Sequence, residues 1–108
     1  MEHTFDFDIP RTFKFTFASF AFVQDLDPQI FKKFGRTDLN AMRHLAMAGL
    51  LHEKKFMQSE VDMMFDRFME KGGKLPAFEK FIIETINDST FVASMTPDKK
   101  EEVEEPKN

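Results

Sequence analysis

The chain of 108 residues predicts an α+β fold that is mainly helical, with a short N-terminal β-strand or hairpin, four to five α-helices and a disordered acidic C-terminal tail. Three observations carry this expectation. Phe falls at every second position from Phe13 to Phe17 in Arg11-Thr-Phe-Lys-Phe-Thr-Phe17, which marks one buried strand face. It then falls at Phe20 and Phe22 as the chain runs on into Val23 and Leu26, where steps of three to four mark a helix face. Beyond that, apolar stripes of helical period recur between capping residues, and from Thr96 the composition leaves almost nothing to bury.

The segment Thr4-Phe-Asp-Phe-Asp-Ile9 alternates as the later one does, with Pro10 between them at a place where a mid-sheet residue would lose its ladder hydrogen bond. Two short strands and one broken edge strand fit equally. The helix that begins near Ala18 ends by Asp25 to Asp27, because Asp27-Pro28 is itself a start signal, an acidic cap followed by Pro at the first helical position. Ile30, Phe31 and Phe34 form the stripe of that short second helix, which Gly35 terminates. Thr37 or Asp38 caps a third helix from about Leu39 to Lys54, in which Leu39, Met42, Leu45, Ala46, Gly49 and Leu50 cover a broad face and Met47 and Leu51 extend it; such a helix is central.

Ser59-Glu-Val-Asp62 has the spacing of a capping box with Asp in place of Glu or Gln, ahead of the stripe Val61, Met64, Phe65, Phe68. Gly72-Gly73 closes that fourth helix. The last starts near Pro76, carries Phe78, Phe81, Ile82, Thr85 and Ser89 on one side, and reaches Ala93. Residues 1–95 are thus expected to form a single domain and 96–108 a disordered tail.

Composition narrows the function. An apolar fraction of 42% with 31% charged residues is ordinary for a soluble domain. All fifteen aromatic residues are Phe and eight Met join them, so there is no Tyr or Trp to bring a polar handle to an interface or an active site. With no Cys there are no disulfides, thiolate nucleophiles or cysteine metal sites, which fits a reducing compartment. Met1 to Asp6 has no signal-peptide pattern, and no apolar run approaches the roughly 20 residues of a membrane span, so neither export nor membrane insertion is expected. A net charge of −4 without a dense Lys/Arg stripe weighs against nucleic acid.

No arrangement of reactive groups emerges. His44, His52 and Glu53 are the nearest approach to a metal set, but His44 and His52 lie eight residues apart, two helical turns or about 12 Å, too far to share one ion. The stretch from Phe65 to Phe81 has the cadence of an EF-hand with Gly73 at the sixth loop position and Glu79 at the twelfth. Phe68 at the first position and Gly72 at the fifth leave too few carboxylates for calcium. Asp62, Asp66 and Glu70 recur at helical spacing and read as a solvated face. No Ser lies in a Gly-x-Ser-x-Gly setting, and four Gly leave no phosphate-cradling loop. Neither catalytic residues nor cofactor or metal sites are expected, and the protein is not expected to be an enzyme.

The residues that the helical wheel places away from the main stripes are Met63 on the fourth helix and Ile83 and Phe91 on the fifth. Read as a surface, they suit a partner-binding role, since flexible Met side chains accept varied apolar partners. Their replacement by Ser is expected to leave stability within about 1 kcal/mol.

The strand-to-helix opening Phe13-Lys-Phe-Thr-Phe-Ala-Ser-Phe-Ala-Phe-Val-Gln-Asp-Leu26, the small-residue helix Leu45-Ala-Met-Ala-Gly-Leu-Leu51, the Ser59 cap and the acidic end resemble the tail assembly chaperones of long-tailed bacteriophages over roughly residues 11 to 93. The resemblance implies a small protein of the host cytoplasm, absent from the mature virion. It would bind the tape-measure protein, keep its apolar helices soluble and recruit tail-tube subunits during tail assembly. It carries no invariant chemical motif and transfers no site residues. The alternating segment Thr4 to Phe17 could also present a strand edge to a second copy, giving a homo-oligomer. The alternative is a small structural virion subunit of head-completion or tail-terminator type, which purified particles would contain.

Overall fold

The computed structural model describes residues 2–95 apart from 35 and 37, and its fold is α+β and mainly helical. The terminator assigned to Gly35, the alternative cap at Thr37 and the tail from Thr96 lie outside the described residues.

The alternating Phe segments form a two-stranded antiparallel hairpin, β1 (Glu2–Asp6) and β2 (Pro10–Lys14), with Thr4 opposite Thr12 and Phe5 opposite Arg11. Pro10 opens β2, where its missing N–H costs the ladder least. Phe7, Phe13 and Phe15 are fully buried and Phe5 is partly so, giving the hairpin one aromatic face. Beside the turn, Arg11 binds both Asp8 oxygens at 2.6 and 2.8 Å. Burial pushes the Asp8 carboxyl up, but the hydrogen bonds from Arg11 and the Ile9 backbone and the Arg11 charge outweigh it and leave the group below its usual range.

The switch from strand to helix rests on one reciprocal pair. Thr16 Oγ1 accepts the Ser19 N–H at 3.2 Å while Ser19 Oγ accepts the Thr16 N–H at 3.1 Å, a capping box that starts α1 (Phe17–Leu26). The expected alternation therefore overruns the strand. Phe17 becomes the first residue of α1 and is 76% exposed, because a helix start turns its side chain out of the strand face.

Asp27 is buried where α1 ends; its Oδ2 accepts from Lys33 Nζ at 2.8 Å and its Oδ1 from the Gln29 N–H at 3.2 Å. The side-chain bond predicted at Asp27 closes a turn over residues 28–29 rather than capping a helix, and the 3-10 turn that follows, Ile30–Lys32, starts after Gln29 with no side-chain cap. In that tighter winding the expected stripe divides: Ile30 is fully buried, while Phe31 is half-exposed and packs on Phe20 and Phe34.

Asp38 caps α2 (Leu39–Gly49) by accepting the Ala41 N–H at 2.9 Å. This helix is central and packs on α1, α3, α4 and β2. It stops at Gly49 rather than near Lys54. Leu50 is fully buried at the first residue past the helix, and His52 Nε2 lies 2.9 Å from the Thr12 carbonyl, tying the following turn to β2. Ala46 and Ala48 keep the buried side of α2 thin, and a Cβ built on Gly49 would lie 2.7 Å from Phe13 Cδ2.

The box predicted at Ser59 is displaced. Helix α3 (Gln58–Glu70) starts after Met57, whose N–H is accepted by Glu60 Oε1 at 2.9 Å, and Lys54 holds the other Glu60 oxygen at 3.0 Å. Its end is a Schellman turn: the Gly73 N–H reaches the Phe68 carbonyl at 2.8 Å and the Gly72 N–H the Met69 carbonyl at 3.0 Å, with Gly72 at a φ of 97°. The last predicted helix divides into α4 (Leu75–Asn87) and α5 (Thr90–Met95). Ser89 makes the break, because its Oγ donates to the Ile86 carbonyl at 2.6 Å and accepts the Val92 N–H at 3.2 Å, closing one helix and capping the next.

The Phe rings sort into two connected groups. Phe7 packs on Phe5, Phe13, Phe65, Phe68 and Phe78, stacking on the last at 5.0 Å, so the hairpin lies on α3 and α4. Phe20 packs on Phe15, Phe31 and Phe91, with Phe91 stacked at 4.1 Å, so α5 is clamped to α1.

Candidate functional site

The capping of α2 and α3 places two amphipathic faces side by side. Asp62, Phe65, Asp66 and Met69 stand on α3 at steps of three and four, opposite Leu39, Met42 and Arg43 on α2, with Leu75 at the start of α4 closing one end. Between them lies an open groove of ≈ 310 Å³. Met42 is buried and forms the floor with the partly buried Phe65 and Leu75. Leu39 and Met69, 67% and 44% exposed, stand on the rims.

The polar groups of the groove are arranged asymmetrically. Arg43 donates from Nε and Nη2 to the two oxygens of Asp62 at 2.7 and 3.1 Å and from Nη1 to Asn40 Oδ1 at 3.2 Å. This bidentate pair bridges α2 and α3 and satisfies both charges locally. Asp66, one turn further along α3, has no hydrogen bond or ion pair among the described residues. The groove therefore carries one uncompensated carboxylate beside an apolar floor.

Sequence reasoning missed this site. Leu39 was expected on the buried face of its helix, but it is the first residue after the Asp38 cap and projects beyond the end of the core. The spacing of Asp62, Phe65, Asp66 and Met69 on one helical face was the available signal, and the acidic half of it was read as a solvated face.

The residues singled out for partner binding do not form one surface. Met63 is 54% exposed and lines a separate depression with Asp8, Arg11, Phe56 and Arg67. Ile83 is partly buried in a narrow crevice against Met42, Leu45 and Phe34, and Phe91 is partly buried against the core, stacked on Phe20. Phe91 lines a second crevice with Phe31 and Met95; this one shares Phe34 with the crevice of Ile83, and neither includes Met63. A larger depression of ≈ 530 Å³ is lined by Phe22, Asp25 and Leu26 of α1, Met47 of α2 and residues 55–58, so a loop forms much of one wall.

His44 and His52 face different structures, as their spacing requires. His44 is buried beside Asp27, its Nδ1 3.7 Å from Asp27 Oδ2 and without a hydrogen bond, while its Nε2 lies 3.4 Å from Gln58 Nε2. Among the described residues no three His, Asp or Glu side chains converge to hold a metal ion, and no helix is long and apolar enough to cross a membrane.

The chain matches no protein-family model, no curated protein and no solved structure. What it does must be argued from its own surface. That surface offers a groove of helical period with an apolar floor, and grooves of this kind accept an amphipathic helix by its residues at i, i+3, i+4 and i+7.

Proposed function

We propose that the protein is a tail assembly chaperone of a long-tailed bacteriophage, which holds amphipathic segments of the tape-measure protein in the groove between α2 and α3. The observation that carries the reading is that groove, in which Leu39 and Met42 of α2 face Phe65 and Met69 of α3 at helical spacing, with Leu75 of α4 beside them. Met suits such a task because its unbranched, polarisable side chain adapts to varied apolar shapes. The role is binding without turnover, in the host cytoplasm, followed by recruitment of tail-tube subunits and departure before the virion is complete. Many weak contacts along a long helical client are enough to keep it soluble.

The test is co-expression. The tape-measure protein of the same genome is produced with and without this chain, and its soluble fraction and co-purification are measured. The expected result is rescue of solubility that Leu39→Ser reduces. Absence of both rescue and co-purification refutes the proposal, and recovery of the chain from purified particles would point instead to a structural subunit.

A further inference from the structure

We infer that Asp66 selects the helix that the groove accepts, by requiring a Lys or Arg beside its apolar stripe. This rests on the reading of the groove as a helix-binding site and goes on to fix the chemistry and register of the occupant. The charges lining the groove decide it. Asp62 has both oxygens engaged by Arg43, and Arg43 also donates to Asn40, so the two charges of this bridge compensate each other. Asp66 has no partner among the described residues, and it lies between Phe65 and Met69, where an apolar stripe seated on the floor would cover its carboxylate.

Covering an unpaired carboxylate is costly, and the cost falls away only if the covering helix brings a cation to it. A Lys or Arg next to the stripe can do so, laying its aliphatic stem along Phe65 or Met69 while its head reaches Asp66. A Gln at that position leaves the carboxylate without its counter-ion, and a Glu repels it. Because Asp66 stands one turn beyond the Arg43–Asp62 bridge, the same contact fixes where along the groove the occupant's cation must sit. A second copy of this chain is the poorer occupant, since each carries a net charge of −4 and two copies repel.

The experiment uses the full chain and three labelled helical peptides that share one Leu/Ala stripe and differ only in carrying Lys, Gln or Glu one position from it. Binding is followed by fluorescence anisotropy at low and high salt. The Lys peptide is expected to bind about fivefold more tightly than the Gln peptide at low salt, with Glu weakest and the ranking compressed at high salt. Asp66→Asn should abolish the Lys preference and Asp66→Lys should invert it toward Glu, while Leu39→Ser weakens all three alike. If all three peptides bind, Leu39→Ser weakens them and the Asp66 variants leave the ranking unchanged, the selection by Asp66 is refuted and the groove stands. If no peptide binds, or Leu39→Ser has no effect, the groove itself is refuted as a helix site. A dimer in sedimentation that Leu39→Ser dissolves, with no peptide bound, assigns the groove to a second copy and also overturns the inference.

Discussion

Replacing Gly49 by Ala sets two known effects against each other. Ala is the better helix former by about 0.8–1.0 kcal/mol in a helix interior, and by less at the last residue of α2. Against this, the new methyl would lie 2.7 Å from Phe13 Cδ2 and 3.0 and 3.2 Å from two Phe15 ring atoms. Neither ring has room to retreat: both are fully buried, Phe13 is held edge-on by Phe7, Phe78 and Phe81, and Phe15 packs on Phe20. Overpacking of this kind costs about 1–3 kcal/mol, so it exceeds the propensity gain, and Gly49→Ala should destabilise by about 1 kcal/mol or somewhat more. For a domain of this size that lowers Tm by about 4–8 °C. Urea unfolding followed by far-UV circular dichroism measures it, with a lower midpoint and an unchanged slope expected. A midpoint equal to or above that of the natural chain would refute the claim that α2 rests directly on β2 through this position.

Hydrogen bonding from Lys33, against the opposing effect of burial and helped by the Gln29 N–H and the Lys33 and His44 charges, holds the Asp27 carboxyl below its usual range. A depressed folded value contributes stability above the unfolded value, near 3.9, and loses it as pH falls through the folded value, so the deficit of Asp27→Asn should shrink as pH drops below about 4 in a series of urea melts. A deficit constant across that range would show that the ion pair does not contribute. Met63→Ser, at an exposed site, should change stability by less than about 0.5 kcal/mol, whereas Phe91→Ser removes the ring stacked on Phe20 and should cost about 2 kcal/mol. Equal effects in parallel melts would mean that α5 is not clamped to α1.

The hairpin, the helices and most of the core were legible because their signals are local. Period-two Phe placed Phe13 and Phe15, and period-3.6 stripes placed Val61, Met64, Phe68, Phe78 and Ile82. The sequence reading failed where one side chain had a choice of partner. Ser19 could join the helix face or cap its start, and by capping with Thr16 it turned Phe17 outward. Glu60 rather than Asp62 reached back to start α3, which left Asp62 free for Arg43, nineteen residues earlier in the chain. Ser89 could continue a helix or break it. The groove was illegible for a related reason: it is the space between two helices, and no periodicity within one helix states which of its faces a neighbour leaves uncovered.

The packing of the hairpin on the far end of the chain bears on how the protein is made. Phe5 packs against Phe78 and Phe81, His3 lies 2.9 Å from Asp88, and Lys71 binds Asp6 at 2.8 Å. During synthesis the hairpin leaves the ribosome before the residues of α4 that cover its Phe face. Contacts of such sequence separation slow folding and prolong the exposure of apolar surface. A protein proposed to shield the unfinished chains of another is itself, until translation has passed Phe81, a nascent chain with an unshielded row of Phe.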